Sequence, residues 1–454
     1  MIGTQMIILD IARNNLLASR RRTLFLGTAL FLVTLFFTVL LALTAGITDS
    51  LVKAATSVSS GHVNIGGFYK SAPADSQNLV QNVARLKEEA REVLPDVVNI
   101  VDRLRGWGTV VSDFGSIENG VNGIDYDEEK ELFAMLQLAR ASEYQEAPAE
   151  PELVKGNFAD VKKPGAIILF AAQAKQLKVD VGDTLTVRTK TVTGQVNTVD
   201  VNIVAIARDL GLLSGWALFV PKQTVVDLYR LKPDVSGVIQ IYLKDMNRST
   251  QAMNDLRAYF AKQGYPQFEH DPQPFFMKLL QTVPGEDWTG AKIDVTTWED
   301  ESSFLTQIIT GLRAVTFALV MLLAIVIVVG ISNTMTIAVR ERTKEIGTLR
   351  AIGMRRSRVL ALFMLEALIL GIVATGLGGI VGTVLSLAVD AAHVHVDAEA
   401  MRVVLLSDTL HLVPRAADVI TAVLSLTFVC GIAAFFPSLR AARIAPVTAM
   451  QSAE

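Results

Sequence analysis

The sequence predicts an α-helical membrane protein, with four transmembrane helices plus a large mixed α/β extracytoplasmic domain between helices 1 and 2. Three observations predict it. Four long runs are almost free of charge, lysine and arginine collect on one side of them, and the long stretch after the first run alternates like sheet and helix. The chain has 454 residues and is 51% apolar, but that average conceals a sharp partition. The uncharged runs are Thr23–Ile47, Ala314–Val339, Val359–Val389 (broken only by Glu366) and Val419–Phe436. Each is near or above the roughly 20 residues that span a hydrocarbon core of about 30 Å as a helix. A single such run could be a buried soluble helix. Four of them, with charge concentrated between, describe membrane spans.

Taken in order, residues 1–22 form a cytoplasmic lead-in and 23–47 the first span. Its length, its long charged approach and the lack of a clean A-x-A site after it point to a retained anchor and not a cleaved signal. Residues 48–304 form the extracytoplasmic domain, and 305–339 a stalk and second span. A basic cytoplasmic segment follows at 340–358, then a third span at 359–389, an external loop at 390–418, a fourth span at 419–437 and a cytoplasmic tail at 438–454. Orientation comes from charge. The lead-in, the 340–358 segment and the tail together hold 13 basic and 4 acidic residues, against 26 basic and 35 acidic in 48–304. Positive charge near span ends marks the cytoplasmic side, so both termini lie inside a multi-pass protein of the cell inner membrane.

Within the outer domain, Leu79, Val83, Leu86, Ala90 and Val93 recur at helical spacing, predicting an amphipathic helix over Leu79–Leu94. Asp183–Ala207 alternates on either side of Gly194 and reads as a hairpin, and Gly165–Val187 as strand, short helix, turn and strand. A further helix is expected over Ser249–Gln263, and a loop or joint over the Pro-punctuated Tyr265–Phe276. Two lobes are favoured over one large domain. The lone cysteine, Cys430, lies in the last apolar run, so packing alone must hold the outer domain together.

Little in the chain suggests catalysis. The five histidines form no H-E-x-x-H pair, and His393 and His395 read as part of a solvated loop with Asp390, Asp397 and Glu399 nearby. The acidic run Asp125–Glu131 lacks calcium-loop spacing and reads as a solvated helix start. No G-x-S-x-G and no G-x-x-x-x-G-K-[ST] occurs. No catalytic residue, metal ligand or nucleic-acid surface is therefore expected.

The charged stretch between the second and third runs carries the functional signal. Good helix formers continue through Arg350, with Gly347 the one weak point. Glu341 and Glu345 share a face, and Glu341 with Lys344 and Arg342 with Glu345 offer local support at i, i+3. Ile346, Leu349 and Ile352 make an apolar stripe, and Gly353 ends the helix. The segment is either a short amphipathic helix on the inner membrane face, with an acidic edge for a soluble partner, or a simple anchoring turn. In the third span, Gly371, Thr375 and Gly379 recur every fourth residue and Gly378 with Gly382 makes G-x-x-x-G, a spacing that lets helices approach closely. Glu366, costly in hydrocarbon, is expected to pair with a basic loop residue.

Ser332–Gly382, "SNTMTIAVRERTKEIGTLRAIGMRRSRVLALFMLEALILGIVATGLGGIVG", closely resembles the signature of the MacB/FtsX/LolE-like ABC transporter permeases, the type VII or mechanotransmission class. The tail "FPSLRAARIAPVTAMQ" resembles their C-terminal pattern, with Met450 where leucine is usual. "IARNNLLASRRRTLF" resembles their amphipathic lead-in, and "KGNFAD…PGAIILFAAQAKQLKVDVGDTLTV" the core of their external domain. The resemblance implies a coupling helix carrying Arg340, Glu341, Arg342, Lys344, Glu345, Ile346, Arg350 and Gly353, seated on a dimer of a separate cytoplasmic ABC ATPase. ATP and Mg would be held by that ATPase, with no cofactor on this chain. It also implies a second permease subunit, identical or related, amid membrane lipid. The size of the outer domain suits the lipoprotein-releasing and macrolide-exporting branches and not the small-domain division-associated one; of the two, the LolC/LolE-type lipoprotein-releasing branch is favoured, with a lipoprotein cargo or periplasmic carrier as further partner. Macrolide or peptide efflux is the alternative, and a non-transporting regulator of a cell-wall hydrolase is an alternative of another class.

Overall fold

The computed structural model describes residues 11–12, 15, 19–72, 75–191, 194–394 and 409–445. The expected lead-in and tail, and His395 with Asp397 and Glu399, thus lie partly or wholly outside the described residues. Packing separates a unit holding the long apolar helices from one running from Ser50 to Ile308. Helix α1 spans Arg20–Ala54 and passes into a π-helical turn at Ala55–Ser59.

The outer unit follows as strands β1 (Val63–Ala72), β2 (Asp75–Asn78) and β3 (Val80–Gln81), helix α2 (Val83–Val93), and strands β4 (Val97–Val111) and β5 (Ser116–Ile124). Then come β6 (Ala166–Phe170), α3 (Ala171–Leu177), β7 (Thr184–Lys190), β8 (Val196–Ala207), β9 (Ala217–Pro221) and α4 (Lys222–Tyr229). The unit ends with β10 (Val235–Ser236), β11 (Val238–Leu243), α5 (Ser249–Lys262), α6 (Phe275–Gln281), β12 (Gly290–Thr297) and α7 (Trp298–Glu301).

The main sheet runs β12-β1-β11-β4-β5-β9-β6-β8-β7, and β7 pairs back onto β4. The 15-residue β4 belongs to two neighbourhoods. Its first half, through Arg103, pairs with β11, and its second half, from Leu104, pairs with β5 and β7. Each half has its own core. Val63, Ile65, Ile100, Ile239, Ile241 and Val295 pack on Leu86 and Ala90 of α2 and Leu256 and Phe260 of α5. Val110, Val121, Leu169, Val187, Ile203 and Val220 form the other core with Ala174 and Leu177 of α3 and Leu228 of α4. The unit thus holds two cores joined by one strand.

Period-two alternation gives the β12-β1-β11-β4 face opposite α2 and α5 a polar character. Asn64, Gln240, Tyr242, Arg103, Asp294 and Thr296 all lie there, and all are buried. The hairpin and the strand–helix–turn–strand unit form as predicted, with Gly194 at φ +83° in the turn. The Leu79–Leu94 helix is shorter than its pattern. Asn82 adopts φ 57°, ψ 45°, and Val80–Gln81 pair with β10, so the helix starts at Val83. Asn tolerates this left-handed conformation, which a helical register cannot cross.

After the outer unit come α8 (Ser303–Glu341), α9 (Thr343–Ala351), α10 (Arg356–Ala391) and α11 (Ala416–Arg443). Helices α1, α8, α10 and α11 are each long and apolar enough to cross a membrane. Their outward surfaces carry Phe36, Phe317, Leu322, Ile325, Leu377, Val384 and Phe428 exposed, the inverse of a soluble surface and suited to lipid.

Candidate functional site

The charged segment between α8 and α10 is built around one buried carboxylate. Glu366, one charge in the apolar run of α10, is 2% exposed. Arg342 Nη1 donates to its Oε1 at 3.2 Å, and Asn15 Nδ2 donates to the same oxygen at 2.6 Å. Arg342 Nη2 also donates to the Asn15 carbonyl at 3.2 Å, so lead-in, loop and α10 close a triangle. The pairing expected of Glu366 is with Arg342.

That inward turn alters the expected helix. Instead of running unbroken through Arg350, the helix stops at Glu341, and Arg342 at φ −101°, ψ 18° separates α8 from α9. The hydroxyl of Thr343 donates to the Val339 and Arg340 carbonyls at 3.0 and 2.9 Å, satisfying groups the break leaves open. Arg342 therefore reaches inward to α10 and is not the i, i+3 partner of Glu345 that its spacing suggested. Gly347, the expected weak point, is inside α9 and buried.

Ile346 packs with Val339, Val359, Phe363, Ala441 and Ala442, joining α9 to α8, α10 and α11. Arg350 Nη1 donates to the carbonyls of Ala442 at 3.1 Å and Ile444 at 2.7 Å. A cation on the last carbonyls of a helix satisfies unpaired acceptors and complements the helix dipole. Gly353 ends the segment at φ +105°. Its N–H bonds to Arg350 O, and the N–H of Met354 bonds to Leu349 O, the paired pattern of a Schellman cap that needs glycine at that position.

The other face of α9 is open. Lys344, Glu345 and Thr348 are exposed, and Arg340 and Glu341 are exposed just before them. The expected apolar stripe divides: Ile346 is buried, Leu349 half-buried, and Ile352 is 80% exposed. The reason is angular: at about 100° per residue Ile352, six positions on, lies roughly 120° round the helix from Ile346, and its backbone is still helical there. Beside α9 lies a groove of about 390 Å³ whose lining includes Ile11, Asn15, Arg342, Glu345, Leu349 and Phe363.

The small residues of α10 serve two neighbours. A Cβ on Gly378 would meet Phe31 O at 2.6 Å and Thr34 Cβ at 2.8 Å, and one on Gly382 would meet Thr38 Cβ at 2.9 Å, all on α1. On the other side Gly371 lies against Cys430 and Gly379 against Val423 of α11. Between them Thr375 Oγ1 and Thr427 Oγ1 share a hydrogen bond of 3.0 Å. Sequence reasoning missed Asn15 and the anchoring of Arg350. Asn15 is one of two adjacent asparagines with nothing local to distinguish it, and the acceptors of Arg350 lie 92 and 94 residues away.

Residues 316–446 match the family model described as "FtsX-like permease C-terminal". The Macrolide export ATP-binding/permease protein MacB 2 of Yersinia pestis bv. Antiqua (strain Antiqua) is 34% identical over 123 residues, 27% of this chain and 16% of that protein. The MacB of Neisseria gonorrhoeae (strain ATCC 700825 / FA 1090) is 37% identical over 123 residues, 27% of this chain and 17% of its own. The Pyoverdine export ATP-binding/permease protein PvdT of Pseudomonas savastanoi pv. phaseolicola (strain 1448A / Race 6) is 36% identical over 126 residues, 27% of this chain and 16% of its own. The chain thus matches about a sixth of the length of these curated relatives. Among solved structures, the periplasmic region of MacB from Actinobacillus actinomycetemcomitans overlaps 55% of this chain and 95% of its own, at 12% identity and a TM-score of 0.30. The match over 316–446 holds the whole of α9 and the Glu366–Arg342 pair.

Proposed function

We propose that the chain is the membrane subunit of a transporter in which a separate cytoplasmic ABC ATPase, holding ATP and Mg, drives movements of the outer domain. Both termini and α9 face the cytoplasm in this reading, and a second permease subunit, identical or related, completes the pair. One observation carries it. Helix α9 offers an exposed face of Lys344, Glu345 and Thr348, with Ile352 beyond its end, while its opposite face is fixed to three membrane helices. Arg342 ties its start to α10 and Arg350 ties its end to α11, so a load applied to the exposed face reaches the spans without loss in a flexible loop. Arg340, Glu341 and Lys344 would steer the docking, and Gly353 sets the angle at which α10 departs.

For cargo we favour release of a lipoprotein to a periplasmic carrier, which the large outer domain suits. Export of a small amphipathic molecule is the second reading, favoured by the names of the macrolide and pyoverdine exporters that match the membrane segment. The test is purification of the tagged chain in mild detergent, with identification of co-purifying chains and an ATP hydrolysis assay. An ATPase in equal amount is the expected result, and Glu345→Lys is expected to abolish it while insertion is unchanged. Equal recovery with that variant would remove the docking role of α9. A lipoprotein in the same preparation selects the first cargo, and stimulation of ATP hydrolysis by a macrolide the second.

A further inference from the structure

The end of α1 is held in the outer unit by an unusual number of side chains. Four successive carbonyls are each taken by a group from β4 or β11. Tyr242 Oη donates to Thr56 O at 3.0 Å, Arg103 Nη2 to Ser57 O at 2.7 Å, and Arg103 Nη1 to Val58 O at 2.6 Å. Ser59 O accepts from Arg105 Nη2 and, at 3.2 Å, from Gln240 Nε2. Helix-terminal carbonyls lack internal partners and carry partial negative charge, so guanidinium groups suit them.

The two arginines are not equivalent. Arg103 is 1% exposed, and its Nε and Nη2 each lie 2.6 Å from a different oxygen of Glu129, which is also 1% exposed. This is a bidentate pair with its remaining donors spent on the helix end, a geometry that is costly to open when buried. Arg105 is partly exposed, and its Nη1 reaches Glu301 Oε2 only at 3.5 Å. Glu301 is the last residue of α7 and lies two positions before α8 begins. Between them Ser302, at φ −115°, ψ 36°, interrupts the helix. The second oxygen of Glu301 is held independently, by Phe275 N at 3.2 Å and Thr296 Oγ1 at 3.1 Å. Burial pushes the Glu301 carboxyl up to about 7, against the pull of Arg105 and Lys278. Burial also lowers Arg105, opposed by Glu301 and assisted by Arg103.

We propose that β4 carries a two-sided joint: Arg103 fixes the end of α1 to the sheet, while Arg105 ties that same end to the root of α8 through Glu301 by a contact that opens with the domain still folded. Because β4 is also the strand shared by both lobe cores, the joint hands movement of either helix to both lobes. Its role in transport rests on the ATP-driven reading above, but its mechanics do not.

Hydrogen–deuterium exchange on the full chain in lipid nanodiscs tests the two sides separately. Glu301→Gln keeps both acceptor contacts and weakens the tie. It is expected to raise exchange over 296–310 about tenfold and to leave 50–62 unchanged. Arg103→Lys retains a charge but loses the bidentate fork, and is expected to raise exchange over 50–62 about tenfold. If Glu301→Gln leaves 296–310 as in the wild type, or loosens both segments equally, the releasable tie is wrong. If Arg103→Lys leaves 50–62 unchanged, the fixed side is wrong. Co-purification of the ATPase with the unaltered chain is read in parallel. Its absence defeats the transport reading alone, and the exchange pattern still decides the joint.

Discussion

An arginine–glutamate pair in each unit holds a helix end, and the two pairs differ in how they are built. In the membrane unit Arg342 meets Glu366 through one nitrogen at 3.2 Å, with the neutral Asn15 supplying the shorter bond of 2.6 Å. In the outer unit Arg103 meets Glu129 through two nitrogens at 2.6 Å and spends its other contacts on two helix carbonyls. The first pair is half-open, since Arg342 keeps 13% of its side-chain surface, and the second is closed. The difference teaches that one chemical motif can serve as an adjustable contact or as a permanent one, depending on how many donors it leaves uncommitted.

The closed pair is expected to give the largest effect when broken. Arg103→Met leaves Glu129 buried without its cation and two carbonyls without donors, and removing one partner of a buried pair costs about 3–5 kcal/mol. All four tryptophans, Trp107, Trp216, Trp288 and Trp298, lie in the outer unit, so their fluorescence during urea unfolding reports that domain directly. A loss below about 1 kcal/mol would place Arg103 with the half-open pairs.

The next effect belongs to Glu301. Its carboxyl stands at about 7 in the folded chain, raised by burial above the ordinary glutamate value of 4.5. The native state therefore holds a proton that the unfolded state has lost between those two values. Outer-domain stability should be greatest below 4.5, fall as pH rises toward 7, and level off above, with a total change of at most about 3 kcal/mol. Glu301→Gln should flatten that fall. A wild-type profile rising across the same window would contradict the burial of a carboxyl at this position.

A smaller change is expected in the membrane unit. Arg342→Ala removes one contact to Glu366 but leaves Asn15, so the cost should be about 1–2 kcal/mol, read as a thermal shift in detergent. Combined with Asn15→Ala, the loss should exceed the sum of the two single changes, because each donor partly covers for the other. Strict additivity would mean that the triangle does not act as a unit.

The same contrast explains what the sequence could reveal. Glu366 stood out because it interrupts 31 residues of otherwise uncharged chain, Val359–Val389, and hydrocarbon makes a lone charge conspicuous. Arg103 and Glu129 sit in a domain where charge is ordinary, and only the fold shows that they meet. The spacing of Gly371, Gly378 and Gly382 was visible, but the division of these glycines between α1 and α11 depends on which way each face of α10 points. Local patterns also misjudged extent. Leu79 fits the helical stripe of α2, yet Asn82 and the pairing of Val80 with Ser236 take the chain out of the helix before it. The sharing of β4 was hidden because its pairing partners, β5, β7 and β11, are scattered over more than a hundred residues.

Ile352 gives the smallest expected stability effect and the sharpest functional one. Apolar spacing grouped it with Ile346 and Leu349 against the membrane face, whereas it stands 80% exposed just beyond the last turn of α9. A side chain with so few contacts contributes little to folding, so Ile352→Asp should shift stability by no more than about 0.5 kcal/mol. If α9 docks an ATPase, the same change places a charge where an apolar group would enter the partner, and co-purification should fail. Ile346→Asp should do the reverse and unsettle the membrane unit itself, since Ile346 is 3% exposed among residues of α8, α10 and α11. Retention of the ATPase by Ile352→Asp would move the docking face back toward Lys344 and Glu345, leaving Ile352 outside the contact. Loss of the folded protein with Ile352→Asp would mean that this isoleucine is covered by something other than a soluble partner, and that the open face of α9 is narrower than its exposure suggests.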